Sequence, residues 1–482
     1  MTSPRIVIIG AGFGGLGTAM ELVRHGFSDV TVLERAATIG GVWRDNTYPN
    51  AACDVPSSLY SWSFAPNPDW PRRYSGQAEI LDYIEAVSRA EGVRDLVRCG
   101  VEVTGAAYEE ASATWTVSTA IGETYIADFL VTAVGQLSRP VIPKIPGAET
   151  FAGPAFHSAQ WDHDVDLAGK RIAVLGTGAS AIQFVPGIQP AAAGLTVFQR
   201  SAPYVVPKMD RAYTRVHQRA FARFPRTQAF GRNLTWVMSE QLNKSLVGTN
   251  PMKSILEKGW RLHLRRQISD PVLRAKLRPD YPIGCKRLLF SNDWYPALAA
   301  PNVEVVTQEV AEILPHGVRS ADGTVHEADV IIYGTGFAAT EFLAPMTLTG
   351  AGGVTLAEAW KDGARAYFGI CVPGFPNLGI VYGPNTNLGG SSIINMMESQ
   401  SQLIRQLVEQ VGPGHSIAVR DNVEHVFDAE IQERIAGSVW GGCDSWYRDA
   451  AGRVTTNWPG TVVEYKERTA RLDLAEFEVV GG

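Results

Sequence analysis

The 482-residue chain predicts an α/β fold of two doubly wound units built on one plan, the second interrupted by a helical insertion. Three observations predict it. A glycine-rich turn between an apolar strand and an amphipathic helix occurs twice, about 165 residues apart. Each copy is followed by a near-identical short strand, "VTVLER" at 30–35 and "LTVFQR" at 195–200. Between 209 and 281 the strand texture gives way to a basic, helical one.

The first strand is "RIVII" (5–9). The helix after its turn places Leu16, Ala19, Met20 and Val23 at the i, i+3, i+4, i+7 spacing of one buried face. Gly26 is placed to end it. The plan restarts at "KRIAVLGTGASA", with a strand at 171–175 and a helix carrying Ala181, Phe184, Val185 and Ile188 on one face. Pro186 should kink or shorten that helix. Strand texture returns in "VEVV" (303–306), "ADVIIYGTGF" (328–337) and "LGIVYGPNTN" (378–387). A long helix is expected from about 392 to 411, with Ile393, Met396, Met397, Ile404, Leu407, Val408 and Val411 on one face.

Composition is ordinary for a globular protein, 45% hydrophobic and 19% charged, and the net charge of −6 gives no global pull toward nucleic acid. The five cysteines, Cys53, Cys99, Cys285, Cys371 and Cys443, are odd in number and far apart, so neither a disulfide framework nor a CxxC redox pair is expected. A reducing compartment fits. No signal peptide and no membrane-spanning run is read, so the expected location is cytoplasmic. No Cys/His/carboxylate spacing suggests a metal site. The 209–281 stretch carries 15 Lys+Arg against five Asp+Glu, about +10 in an acidic chain. It reads as a solvated basic face, as a device steering an anionic cofactor, or as a contact with a membrane surface.

The glycine loops carry the chemistry. Gly10, Gly12, Phe13, Gly14 and Gly15 follow a strand and open a helix, and Glu34 closes the next strand 24 residues after Gly10. That context is the Rossmann-type dinucleotide fingerprint: glycines for a tight turn and a close approach to pyrophosphate at a helix N-terminus, and an acid for a ribose 2′-hydroxyl. The second loop, Gly176, Thr177, Gly178, Ala179, Ser180 and Ala181, has the same context with Ala181 in place of the third glycine. Its second strand ends in Gln199-Arg200. A neutral Gln spares a 2′-phosphate the repulsion an acid would exert, and Arg200 can grip that phosphate. Since Arg35 stands at the equivalent place in the first copy, the missing acid is what discriminates. Two sites of different 2′ chemistry imply a relay from NADPH to a resident FAD. The N-terminus of the long late helix would favour an anionic reduced flavin.

Between the units lies "FAGPAFHSAQWD" (151–162). It resembles the FxGxxxHxxxW fingerprint of type I Baeyer–Villiger monooxygenases, class B flavoprotein monooxygenases, through Phe151, Gly153, His157 and Trp161. Similar blocks include "GGVWRDNTYPNAACDVPS" (40–57), "NPDWPRRYSGQAEI" (67–80), "GCKRLLFSNDWYPAL" (284–298), "GPNTNLG" (383–389) and "CDSWY" (443–447). The likeness covers nearly the whole chain except the interior of 209–281. It implies a glutathione-reductase-like two-domain flavoprotein. FAD would bind to 1–140 and 338–482, NADPH to 150–208 and 282–335, with 209–281 as a helical insertion in the NADPH domain. It also implies the reaction. NADPH reduces FAD, the reduced flavin captures O2 as a C4a-peroxide, and attack on a ketone gives an ester or lactone. Sulfides are expected as further substrates.

The resemblance assigns residues one at a time. Arg287 matches the active-site arginine and Asp54 the aspartate that holds it. Around FAD it implies Gly41, Val42, Trp43, Tyr60, Val103 and Asn387. Around NADP it implies Arg200, Ser201 and Lys286 at the 2′-phosphate, Gln136 at the edge, and Trp446 on a mobile loop. His157 is implied to couple domains and not to transfer protons. Departures are Asp162 in place of a commoner proline, "DWY" in place of a double tyrosine, and Gly390-Ser391 where relatives often carry His-Asn. That last pair lies near the expected substrate, and the substrate walls are expected from 209–281, 386–396 and the segment around Trp446. Any N-terminal extension of longer relatives is expected to be absent. Two alternatives stay open: an N- or S-oxygenase of the same fold, and a non-catalytic flavin or NADPH redox sensor.

Overall fold

The computed structural model describes residues 3–248, 252–412 and 414–480. The first glycine unit builds a five-stranded parallel sheet in the order 378–380, 129–132, 6–9, 30–34, 97–99. The second builds another, in the order 303–306, 194–198, 171–175, 330–333, 155–157, again all parallel. Parallel sheets are covered on both faces, which is why Ile6–Ile9, Phe129–Thr132 and Val330–Tyr333 are buried at every position. Each sheet is flanked by a smaller one that the sequence did not announce: an antiparallel set at 103–127 with 347–349 added in parallel, and an antiparallel set at 310–327.

The helix Phe13–Arg24 buries Leu16, Ala19 and Met20, with Leu16 and Met20 each contributing roughly 1.5–3 kcal/mol of apolar burial. Gly26 follows it at φ +88. Its partner is the late helix Ile393–Val408, which ends three residues earlier than expected and is joined by a 2.8 Å hydroxyl contact between Thr18 and Ser401. In the second unit the helix Ala181–Ile188 is short and ends two residues after Pro186.

The insertion is mostly helical, over Arg215–Arg223, Pro225–Val247, Met252–Gln267 and Pro271–Lys276. Pro225 and Pro271 stand at helix starts, where a missing N–H costs nothing. Asp270 caps the last helix by accepting from Val272 and Leu273 N–H. The insertion spans both units. Trp260 and Leu264 pack in the second unit's core. The Pro225–Val247 helix instead docks on the first unit. Arg232 donates to the Ser58 carbonyl at 2.5 Å and to Asn395 at 3.2 Å, and Gln228 donates to the Asn67 carbonyl.

Candidate active site

Both glycine loops open onto one continuous cavity of about 2290 Å³. That exceeds by more than twofold the range a single small-ligand pocket fills, so it has room for two dinucleotides and a substrate.

At the first loop, Gly10 has φ +103, and a Cβ there would stand 2.6 Å from the Ala133 carbonyl. The wall beside it is formed by Gly12, Phe13 and Gly14, then Gly41, Val42 and Trp43, with Tyr60, Val103 and Asn387 further along. Gly15 is not on the wall. A Cβ there would fall 1.9 Å from the Gly10 carbonyl, so this glycine serves helix–strand packing. Glu34 is buried on the wall and its carboxylate is already engaged, accepting from the N–H of Ala11 at 2.9 Å and of Ala36 at 3.0 Å, and from Arg44 at 3.0 Å. Arg44 was not singled out from the sequence, although it lies in the "GGVWR" block. Tyr60 accepts from the indole N–H of Trp43 at 3.1 Å, and Asn387 accepts from the Tyr382 hydroxyl at 3.0 Å. The cradle, with glycines where a Cβ would intrude and an acid closing it, fits an adenine dinucleotide with a free 2′-hydroxyl.

At the second loop, Gly176, Thr177, Gly178, Ala179 and Ser180 line the cavity, and Ala181 is fully buried behind them. A Cβ on Gly176, at φ +110, would stand 2.4 Å from the Gly334 carbonyl. Arg200, Ser201 and Lys286 converge beside this loop. Lys286 Nζ donates to Ser201 Oγ at 2.8 Å and sits 4.5 Å from the Tyr281 ring centroid. Burial pushes the Lys286 pKa below its ordinary value, and the neighbouring Arg200 cation pushes the same way. Two adjacent cations with a hydroxyl suit a phosphate, while Asp280 and Asp444, also on the wall, act on Lys286 in the opposite sense. Gln199 corrects the sequence reading. It is buried off the wall, and its amide donates to the Lys276 carbonyl at 2.8 Å. The missing acid therefore reflects a tie to the insertion, while the cationic pair faces the cavity.

Arg287 and Asp54 meet between the two loops. Arg287 Nη2 donates to Asp54 at 2.8 and 2.9 Å, and Nε donates at 3.1 Å. The Asp54 charge, first, and its hydrogen bond raise the Arg287 pKa against the opposing effect of burial. The pair is only partly buried, and with its polar atoms matched it stays charged and held in one geometry. Three groups around the pair were not singled out from the sequence. Tyr382 and Tyr447 flank Arg287, and burial lifts the Tyr447 hydroxyl to about 12, so it remains a neutral donor. Cys53, next to Asp54, is likewise lifted to about 12 by burial, with the Asp54 charge adding to it. Single aromatics and a lone thiol carry no motif that would flag them. Gln136 is buried, and its amide donates to the carbonyls of Tyr382 and Gly383 at 3.1 and 3.2 Å.

The cysteine expectation is also corrected. Cys285 and Cys443 form a disulfide with Cα atoms 5.9 Å apart. At a sequence separation of 158, no local spacing could signal the pair. The bond ties the residue before Lys286-Arg287 to the segment of Trp446, which lines the cavity and is 39% exposed. Cys53, Cys99 and Cys371 are free.

Phe151, Gly153, His157 and Trp161 lie off the cavity wall. A Cβ on Gly153 would stand 2.2 Å from the Asp329 carbonyl, Phe151 packs in the core beside the 310–327 sheet, and Trp161 packs on Phe156 and Phe184. His157 is buried, accepts from Ala159 N–H at 3.1 Å, and stands 5.7 Å from the ring of Phe337, which does line the cavity. Burial lowers its pKa, with the Gly336 backbone opposing. Among the described residues no group of three His, Cys, Asp or Glu could hold a metal ion, and no helix is long and apolar enough to cross a membrane.

The insertion lines the cavity with Met209, Val237, Met238, Leu242 and Leu256, interleaved with Thr235, Ser239 and Gln241, and the 388–393 segment faces Leu242. Leu242 leaves no space at Gly390, where a Cβ would fall 2.7 Å from its Cδ2.

Residues 7–216 match the family model described as pyridine nucleotide-disulphide oxidoreductase. The chain is 47% identical over 481 residues to a Baeyer-Villiger monooxygenase of Streptomyces coelicolor, covering 99% of this chain and 92% of that protein. It is 39% identical over 480 residues to a Baeyer-Villiger monooxygenase of Pseudomonas aeruginosa, covering 98% and 91%. Among solved structures it is similar to an oxidized steroid monooxygenase bound to NADP, with TM-score 0.88, 29% identity and full coverage of both chains. It is also similar to cyclohexanone monooxygenase from Rhodococcus sp. Phi1 bound to NADP+, with TM-score 0.88, 28% identity and full coverage of both chains.

Proposed function

The chain belongs to the Baeyer–Villiger monooxygenases, and we propose on that premise that it holds FAD and uses NADPH and O2 to convert ketones into esters or lactones. Sulfides are a second substrate class. The overall reaction is ketone + O2 + NADPH + H+ giving ester, NADP+ and water. The observation that carries this reading is the Arg287–Asp54 pair, which stands in a cavity shared by both glycine loops.

Residues 1–140 and 338–482 hold FAD through the first glycine loop, Glu34 and the Trp43–Tyr60 pair. Residues 150–208 and 282–335 hold NADPH through the second loop, with Arg200, Ser201 and Lys286 on its 2′-phosphate. When bound, the flavin supplies the activation of O2. Arg287 presents a permanent guanidinium cation where negative charge gathers on a substrate carbonyl oxygen under attack, an electrostatic effect typically worth 10²–10³ in rate. Asp54 fixes the fork so that little reorganisation is needed. Tyr382 and Tyr447, neutral near pH 7, add no competing anion. The apolar insertion wall keeps water from the substrate end. Trp446 closes over the nicotinamide side, and His157, behind Phe337, couples the domains.

The test is a panel of cyclic, linear and aryl ketones beside thioethers, with NADPH consumed compared with product formed. Ester formed in step with NADPH is the expected result. Sulfoxide without ester would instead mark an S-oxygenase, and a bound flavin that NADPH cannot bleach would mark a redox sensor.

A further inference from the structure

The insertion holds an unusual share of the uncovered apolar surface. Ten of the 22 large hydrophobic side chains that are exposed among the described residues lie in 209–281, a stretch of 73 residues. On the Pro225–Val247 helix they form a stripe: Phe230 is 70% exposed, Leu234 53%, Val237 51% and Met238 49%. The spacing i, i+4, i+7, i+8 puts them on one face. Arg226 and Lys244 lie on the same side at its two ends. The opposite face of this helix is the one that docks, through buried Gln228, Asn243 and Leu246 and through Arg232. The stripe is therefore held outward by a fixed anchor. The next helix adds Ile255 and Leu262, 63% and 49% exposed, seven residues apart, with Lys258 between them.

Exposed contiguous apolar surface on a soluble chain marks a partner. The charge of the segment says which kind. It is about +10, while the rest of the chain is acidic. A symmetric second copy would set the same basic face against itself. An apolar stripe flanked by Lys and Arg is the pattern of a helix that lies in the plane of an anionic lipid surface. Val237 and Met238 add a functional link, because both belong to the stripe and both line the cavity.

We propose that the Pro225–Val247 helix and its neighbour dock this protein on anionic membrane surfaces, with the apolar stripe in the interface and the substrate end of the cavity opening toward it. If the ketone-oxidising reading holds, lipophilic ketones enter from the bilayer. Docking itself does not depend on that reading.

The experiment is co-sedimentation of the FAD-loaded protein with vesicles of phosphatidylglycerol and phosphatidylcholine in equal parts, against vesicles of phosphatidylcholine alone. The expected result is binding at least about tenfold tighter to the anionic vesicles, as the attraction of several basic side chains implies, and weaker in high salt. The double variant Phe230→Glu/Leu234→Glu should lose it, and so should Arg226→Glu/Lys244→Glu, which removes charge and leaves the stripe. None of the four lines the cavity, so bound flavin and its bleaching by NADPH should be unchanged and report correct folding. Equal binding to both vesicle types, no binding at all, or full binding by the folded apolar double variant would each overturn the proposal. So would a dimer in sedimentation velocity that the double variant dissolves while vesicles bind neither form. That outcome would make the face a self-interface.

Discussion

Asp54 and Arg287 stand 233 residues apart in the chain and 2.8 Å apart in space, one from each unit. Their contact is a fork on a carboxylate, so charge and direction are fixed together. Arg287→Ala should lower ester formation by about 10²–10³-fold, the size of a lost charge stabiliser, while NADPH still reduces the flavin. Asp54→Asn keeps the shape and removes the charge that raises the Arg287 pKa, and should cost at least tenfold. Arg287→Lys should not restore the rate, because an ammonium cannot hold the fork. Rapid-mixing reduction beside product assay separates the steps. Ester formation near the wild-type rate in Arg287→Ala would refute the assigned role.

How much of this was legible in the sequence can be judged at particular residues. Local patterns carried well: both glycine turns, the strands Val30–Glu34 and Gly194–Phe198, and the long helix after "GPNTNLGG" are set by short-range sterics and periodicity. Orientation carried poorly. Gln199 reads as a cavity residue from its place in "LTVFQR", yet this residue, just past the strand end, turns inward to bond Lys276. That choice depends on the insertion, which has no counterpart in the first copy. Gly15 and Ala181 read as cofactor-loop residues from the motif, yet both sit behind the cavity wall as packing positions. Pairings across long separations, Cys285 with Cys443 above all, left no local trace.

Arg200 and Lys286, not Gln199, face the second loop, so cofactor preference rests on the two cations. Lys286→Ala should reduce the preference for NADPH over NADH by about tenfold or more, an effect of the size of one charge-assisted hydrogen bond. Gln199→Glu should change it little at the wall and instead loosen the contact with Lys276. The pH profile carries a sign. Lys286 must be protonated to hold the phosphate, and its pKa lies below the ordinary 10.5. The NADPH preference should therefore fall on the alkaline side, starting below pH 10.5, and Lys286→Ala should flatten that limb. Equal profiles for the two proteins would remove Lys286 from the phosphate site.

The Cys285–Cys443 bond closes a very long loop, for which a chain-entropy model gives on the order of 5 kcal/mol of stabilisation. Cys443→Ser, or treatment with dithiothreitol, should lower the melting temperature. It should also release the Trp446 segment and raise KM for NADPH more than it lowers kcat. Non-reducing peptide mapping checks the bond itself. An unchanged melting temperature and unchanged KM after complete reduction would show that the loop is held by its packing alone.

His157 gives a prediction in which the sign of the pH effect is decisive. Burial lowers its pKa below 6.5, so in the folded protein it stays neutral at pH values where the unfolded chain already binds a proton. The unfolded state then holds more protons, and stability rises with pH through that window. Above about pH 6.5, the ordinary histidine value, both states are neutral and the full stability is present. As pH falls below it, stability is lost until the folded pKa is passed. Melting temperature should accordingly drop on acidification from pH 7 toward pH 5, and less so in His157→Gln, which keeps an acceptor for the Ala159 N–H. If His157 also couples the domains through Phe337, the variant should slow flavin reduction by NADPH at pH 7.5, where its charge plays no part. A variant with wild-type reduction kinetics but a flattened melting profile would confine His157 to a structural role.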